Sequence, residues 1–285
     1  MPYDFRKYLT EQGYKEPTMV SYTSTVESFF AYLTATYKRN KELHEINPSD
    51  IKGFINSKVI EANSIHTINK HIAILKTFFD YLWKVGKLPI DPAVKIRRLK
   101  NNDPGPKDIE YNRLLEIRPQ IINDNRYNLI TKSIFVLALK GLRFSEFHFT
   151  KKDVTYAANG IIQIKIETRN NKNRVVNLSG KDAEIFDAFF TDCQFNPGDY
   201  VFTTKRQQTN EFVPIEIDSM YTYLKNIRND YELPRRFKLD DIRIAYAYYL
   251  RTNQHYMIDQ IAEEFGIEKM RAAELSKLAI ERYGT

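Results

Sequence analysis

The stretch Asn101-Asn102-Asp103-Pro104-Gly105-Pro106-Lys107 limits this chain's fold more than any other. Asn, Asp, Pro and Gly in succession favour turns over helix or strand, and two prolines stiffen the run. A chain of 285 residues is comfortable as two domains. The expected division is a domain over 1–100, a linker over 101–107 and a second domain over 108–285. Just before the linker lies Lys95-Ile96-Arg97-Arg98-Leu99-Lys100. A basic connector suits a path along a phosphate backbone; a solvated connector is the plainer alternative.

The first domain reads as helical. Pro17-Thr18 opens a helix whose apolar stripe is Val20, Val26, Phe29, Phe30 and Leu33. Asn47-Pro48-Ser49-Asp50 starts the next. Ser64 or Thr67 caps a third, in which Ile68, Ile72, Leu75, Phe78, Phe79 and Leu82 recur at helical spacing. Lys70, His71 and Lys76 lie among them and face outward.

The second domain is expected to be mostly helical with a small sheet. Helical runs are 109–117, 129–139, one opened by Ser179 or Gly180 and containing Ile185, Phe186, Phe189 and Phe190, then 218–227, 239–250, 258–265 ending at Gly266, and 268–282. Ile161–Ile166 and Arg174–Leu178 form a hairpin around the polar turn Thr168–Asn173. Tyr200–Phe202 is a further extended piece. In the last helix Leu275, Leu278 and Ala279 pack, while Lys277 and Arg282 stay in water. Between two helical elements falls Lys140-Gly141-Leu142-Arg143-Phe144-Ser145-Glu146-Phe147. Gly141 suits a left-handed helix end. Arg143 is then held at a junction, and Glu146 three residues later can fix it with a two-pronged ion pair. Arg243, following Asp240, is a second arginine in a similar setting.

The formal net charge is +7, which favours an anionic partner, nucleic acid above all. No run is long and apolar enough for a membrane span, so no membrane partner is expected. Cys193 is the single cysteine, so an intrachain disulfide framework is excluded and a reducing compartment fits. His44, His148 and His255 are scattered, and neither metal nor cofactor is expected.

Together these features resemble the tyrosine recombinase (phage integrase) family. Residues 67–82, ending near Asp91-Pro92, resemble its helical SAM-like core-binding domain. Gly141-Leu142-Arg143-Phe144-Ser145-Glu146 resembles its first arginine box, and the hairpin and Asp240-Asp241-Ile242-Arg243 follow in the family's order. The resemblance implies a mainly α, two-domain fold with an α+β catalytic-like domain. It implies that Arg143 and Arg243 bind the scissile phosphate. The hairpin base position falls on Arg169, with Lys172 as a substitute. The chain departs from the pattern at two histidine positions, now Asp240 and Ile267. Nine residues after Ile267, where the nucleophilic tyrosine usually lies, stands Ser276; the nearest downstream tyrosine is Tyr283.

Phosphate binding needs only charge and shape, whereas transesterification also needs a nucleophile and proton traffic. The expected function is therefore sequence-specific binding of double-stranded DNA without strand transfer. Integrase-like repressors of lysogeny in SP-beta-type Bacillus phages are similar in kind. That reading implies self-association on DNA, a small regulatory protein as a further partner, and a place on the nucleoid in the bacterial cytoplasm. The alternatives are an active, divergent recombinase working through a 3′-phosphotyrosyl intermediate, and an architectural module. Candidate DNA contacts are Asn69, Lys70 and Lys76, then Lys95, Arg97, Arg98 and Lys100, then Arg235, Arg236 and Lys238, besides Arg143, Arg169, Lys172 and Arg243.

Overall fold

The computed structural model describes residues 2–100, 109–168, 172–206, 209–234 and 237–284. Contacts divide the chain into two compact units, Met1–Asp103 and Pro104–Thr285. The expected linker, 101–107, lies outside the described residues.

The N-terminal unit holds α1 (Phe5–Glu11), α2 (Glu16–Tyr37), α3 (Pro48–Ile60) and α4 (Ile65–Lys84). Their starts follow from local chemistry. The Asn47 side chain accepts from the N–H groups of Ser49 and Asp50, while Asp50 accepts from the Asn47 N–H, a reciprocal cap on α3. Ser64 Oγ accepts from Thr67 N–H at 3.1 Å, which identifies Ser64 as the cap of α4. Aromatic rings fill the core: Phe29 meets Phe54 edge-on at 5.5 Å and Phe79 at 5.8 Å. The stripe of α2 differs from the expectation at one point. Val20 is 55% exposed and Met19 takes the buried place, since the neighbouring residue is turned by about 100° around the helix.

A buried ionic cluster ties the chain after α2 to α3. Lys41 Nζ donates to both oxygens of Asp50 at 2.9 and 2.8 Å, and the Tyr37 hydroxyl donates to the same carboxylate. Burial alone would raise the Asp50 pKa. The bonds from Lys41, Tyr37 and the Asn47 N–H outweigh it and hold the group below its ordinary value.

The C-terminal unit begins with α5 (Tyr111–Asn123) and the apolar α6 (Leu129–Leu139). A short 3-10 turn, Phe144–Phe147, leads to an antiparallel sheet of β1 (Val154–Tyr156), β2 (Ile162–Glu167) and β3 (Asn173–Leu178), in that spatial order. Ile164 faces Val176 and Ile166 faces Arg174 across the hairpin. Then come α7 (Gly180–Cys193), the β4–β5 pair (Thr203–Lys205, Phe212–Pro214), α8 (Ile217–Asp230), α9 (Leu239–Thr252), α10 (Ile258–Phe265) and α11 (Lys269–Tyr283). The extended piece expected at 200–202 is displaced: Tyr200 makes one bridge to Thr150, and the strand proper starts at Thr203.

Two glycines close helices at the places that matter. Past α6, Gly141 (φ +71°) donates to Ala138 O at 2.8 Å and Leu142 N–H to Leu137 O at 3.4 Å, a Schellman ending. Past α10, Gly266 (φ +58°) and Ile267 repeat it onto Glu263 and Ala262. A Cβ at Gly141 would lie 2.6 Å from the Phe265 ring, and one at Gly266 would lie 2.7 Å from Arg174 Cβ. Close approach and left-handed backbone thus both call for glycine.

Candidate nucleic-acid interface

The end of α6 exposes carbonyls that have no partner within the helix. Two arginines from distant elements cover them. Arg243, on the first turns of α9, donates from NH1 to Gly141 O at 2.6 Å, and Arg174, on β3, donates from NH2 to Lys140 O. Guanidinium groups at the negative end of a helix dipole are favourably placed. Glu146 lies between them, its Oε2 at 3.2 Å from Arg243 NH1 and 3.6 Å from Arg174 NH1. Arg174 reaches Glu264 as well, at 3.5 Å. Both guanidiniums lie over the Phe265 ring, Arg243 at 4.4 Å from its centre.

Here the expected Arg143–Glu146 ion pair is corrected. Glu146 is third in its short turn, so it folds back and accepts the Arg143 backbone N–H at 2.9 Å. That turns its carboxylate inward, to 5% exposure, where Arg174 and Arg243 supply the opposite charge. The Arg143 side chain instead lines an open cleft and forms no ion pair among the described residues.

The cleft has a volume of about 1490 Å³. Arg143, Arg243, Asp240 and Ile267 all line it, so the structure brings together both arginines and the two residues that the resemblance sets at histidine positions. Arg243 is only 2% exposed, and its Nε and NH2 have no hydrogen-bond partner among the described residues. Burial pushes its pKa down to about 9; Glu146 opposes this, and the positive charges of Arg143 and Arg174 add to it. Burial likewise lowers Arg174. Acidic side chains share the cleft with these guanidiniums, Asp240, Asp153, Glu167, Glu268 and Glu274 among its lining. Among the described residues no three His, Cys, Asp or Glu side chains converge as a metal site would require.

Other expected site residues lie elsewhere. Arg169, Arg235 and Arg236 fall outside the described residues. Lys172 and Lys238 are exposed and do not line the cleft. Asn69 and Lys76 use their polar ends on the chain's own backbone: Asn69 exchanges two hydrogen bonds with Leu99, and Lys76 Nζ donates to the carbonyls of Val94 and Ile96. Lys70, Lys95, Arg97, Arg98 and Lys100 are exposed. Tyr283 ends α11 with its ring 5.4 Å from that of Tyr248 and does not line the cleft. Its hydroxyl is buried without a well-formed hydrogen bond; burial raises its pKa, against the nearby Arg282 guanidinium and Ile109 N–H. Ser276 is buried against α9, its hydroxyl unpartnered, while Leu275 and Leu278 reach the cleft. Arg282, expected in water, is buried and donates to Asp241 at 2.7 Å.

Two residues of the site escaped the sequence reading. Arg174 occupies an inward position of β3, in step with Val176 and Leu178. An arginine on the buried beat of an alternating strand is the signal that would have found it. Lys165 lines the cleft from the outer beat of β2.

Residues 3–86 match the phage integrase N-terminal SAM-like domain. The tyrosine recombinase XerD of Listeria monocytogenes serovar 1/2a (strain ATCC BAA-679 / EGD-e) is 28% identical over 182 residues, 63% of this chain and 60% of that protein. The chain is thus similar to tyrosine recombinases over most of its length. The matched region covers about 60% of the length of these curated relatives. The chain's two-unit fold is that of solved tyrosine recombinases. A lambda integrase (75–356) dimer bound to a COC' core site superposes with a TM-score of 0.71 at 13% identity, covering 95% of this chain and 92% of that one. The XerH site-specific recombinase in a post-cleavage complex with palindromic difH superposes at 0.69 with 18% identity, over 91% of this chain and 76% of that one.

Proposed function

We propose that this tyrosine recombinase homologue is a sequence-specific, double-stranded DNA-binding regulator that holds DNA without transferring strands. The carrying observation is the contrast inside one cleft. Arg143 and Arg243 line it, and two Arg243 guanidinium nitrogens have no hydrogen-bond partner among the described residues, while the lining also holds Asp240 and Ile267 and does not include Tyr283. Two guanidinium forks can hold phosphate oxygens. Isoleucine moves no proton, and a carboxylate beside the phosphate opposes it. In this reading residues 1–100 are the core-binding domain, 101–107 the linker and 108–285 a catalytic-like domain. Repression in a phage or mobile element, self-association on DNA and residence on the bacterial nucleoid follow as the biological setting.

The test is recovery of bound sequences from random duplex pools, followed by footprinting. A footprint that weakens with Arg143→Ala and with Arg243→Ala supports the reading. Binding indifferent to both arginines would reduce the cleft to a structural feature. A second reading, a divergent recombinase, is supported by the relatives, which are named as recombinases. It requires Tyr283 to leave its place beside Tyr248 and reach the cleft.

A further inference from the structure

The basic segment after α4 is fastened rather than loose. Asn69 Nδ2 donates to Leu99 O at 2.9 Å, and Asn69 Oδ1 accepts from Leu99 N–H at 2.8 Å. The primary amide thus pairs with one residue's backbone as a neighbouring strand would. Two turns further along α4, Lys76 Nζ donates to Val94 O at 3.3 Å and Ile96 O at 3.1 Å, and the Ile96 side chain is buried. The segment therefore runs antiparallel to α4. The spacing is consistent: seven helical residues rise about 10 Å, and four extended residues span about 13 Å. Lys95, Arg97, Arg98 and Lys100 remain exposed along this track.

We propose that Asn69 is a positioning residue, whose amide locks the backbone at Leu99 and so presents Lys95, Arg97, Arg98 and Lys100 as a preset row for DNA phosphates. This rests on the DNA-binding reading above. It reassigns Asn69 from contacting DNA to aiming the residues that do. A loose basic segment would lose backbone freedom on binding, whereas a fastened one has already lost it on folding.

The test combines hydrogen exchange with binding to a labelled duplex of random sequence, which reports phosphate contacts. Asn69→Ala should speed exchange at the Leu99 amide while α4 amides keep their protection. Asn69→Asp keeps the acceptor for Leu99 N–H but loses the donor, so its exchange should be intermediate. Asn69→Ala should weaken binding about five-fold and make the salt dependence shallower by about one phosphate contact. In a chain with Lys95, Arg97, Arg98 and Lys100 all changed to Ala, adding Asn69→Ala should change nothing further. An undiminished Asn69→Ala loss in that background, or wild-type affinity in the single variant, overturns the proposal and leaves the DNA-binding reading standing. Absence of duplex binding by the wild type sinks both, and is recognised because the exchange pattern at Leu99 does not depend on DNA.

Discussion

Each unit of the molecule buries an ionic cluster, and the two are finished differently. In the N-terminal unit one lysine and one tyrosine close on one carboxylate: Lys41, Tyr37 and Asp50 satisfy each other and also brace the α3 cap. In the C-terminal unit Arg174 and Arg243 share Glu146, Arg174 also reaches Glu264, Arg143 forms no ion pair among the described residues, and two buried nitrogens of Arg243 lack a partner there. The first cluster is complete and does architectural work. The second leaves Nε and NH2 of Arg243 without a hydrogen-bond partner among the described residues, which folding alone does not require. A buried charge left partly unmatched is tolerated where a ligand supplies the remainder.

The contrast can be broken most forcefully at Glu146. Glu146→Gln leaves the buried Arg243 without its paired carboxylate and Arg174 with Glu264 alone, and should cost about 3–5 kcal/mol in urea unfolding. A loss under 1 kcal/mol would mean the arginines are not held as described. Asp50→Asn should cost less, about 1–3 kcal/mol, because the Lys41 stem can swing its ammonium to water. The pH response sharpens the same point. The folded Asp50 pKa lies below its unfolded value, so its contribution is present above about pH 4 and lost as pH falls through the folded pKa. Asp50→Asn should flatten that acid limb.

Arg243→Lys keeps the charge and removes the fork. It should lower duplex affinity about tenfold, or about 1.4 kcal/mol, whereas Lys41→Arg in the closed cluster should leave affinity unchanged. Fluorescence anisotropy titrations at fixed salt would measure both. The smallest effect belongs to Tyr283→Phe. The hydroxyl is buried without a well-formed hydrogen bond, so its removal should shift stability by less than about 0.5 kcal/mol and leave binding intact.

Much of this was legible in the sequence where local chemistry decides. Asn47, Ser64 and Gly266 mark helix ends that the structure bears out, as does Gly141. Helical spacing in 68–82 and alternation in the hairpin place their buried faces correctly. What was not legible depends on elements far apart in the chain. Glu146 was paired with its neighbour Arg143, but its carboxylate serves Arg174 and Arg243, 28 and 97 residues downstream. Arg282 looked like a wet residue near the last turn until Asp241 appeared beside it. Asn69 and Lys76 looked free on an outward helix face because periodicity does not show that 94–99 folds back over it.

In the proposed reading the cleft grips a phosphate and does not cut. Trapping on a nicked suicide duplex carrying the recovered binding site tests it most directly. A cleft that only holds DNA should give a retained complex that Arg243→Ala weakens and no covalent protein–DNA band. A 3′-phosphotyrosyl adduct that disappears with Tyr283→Phe would contradict it.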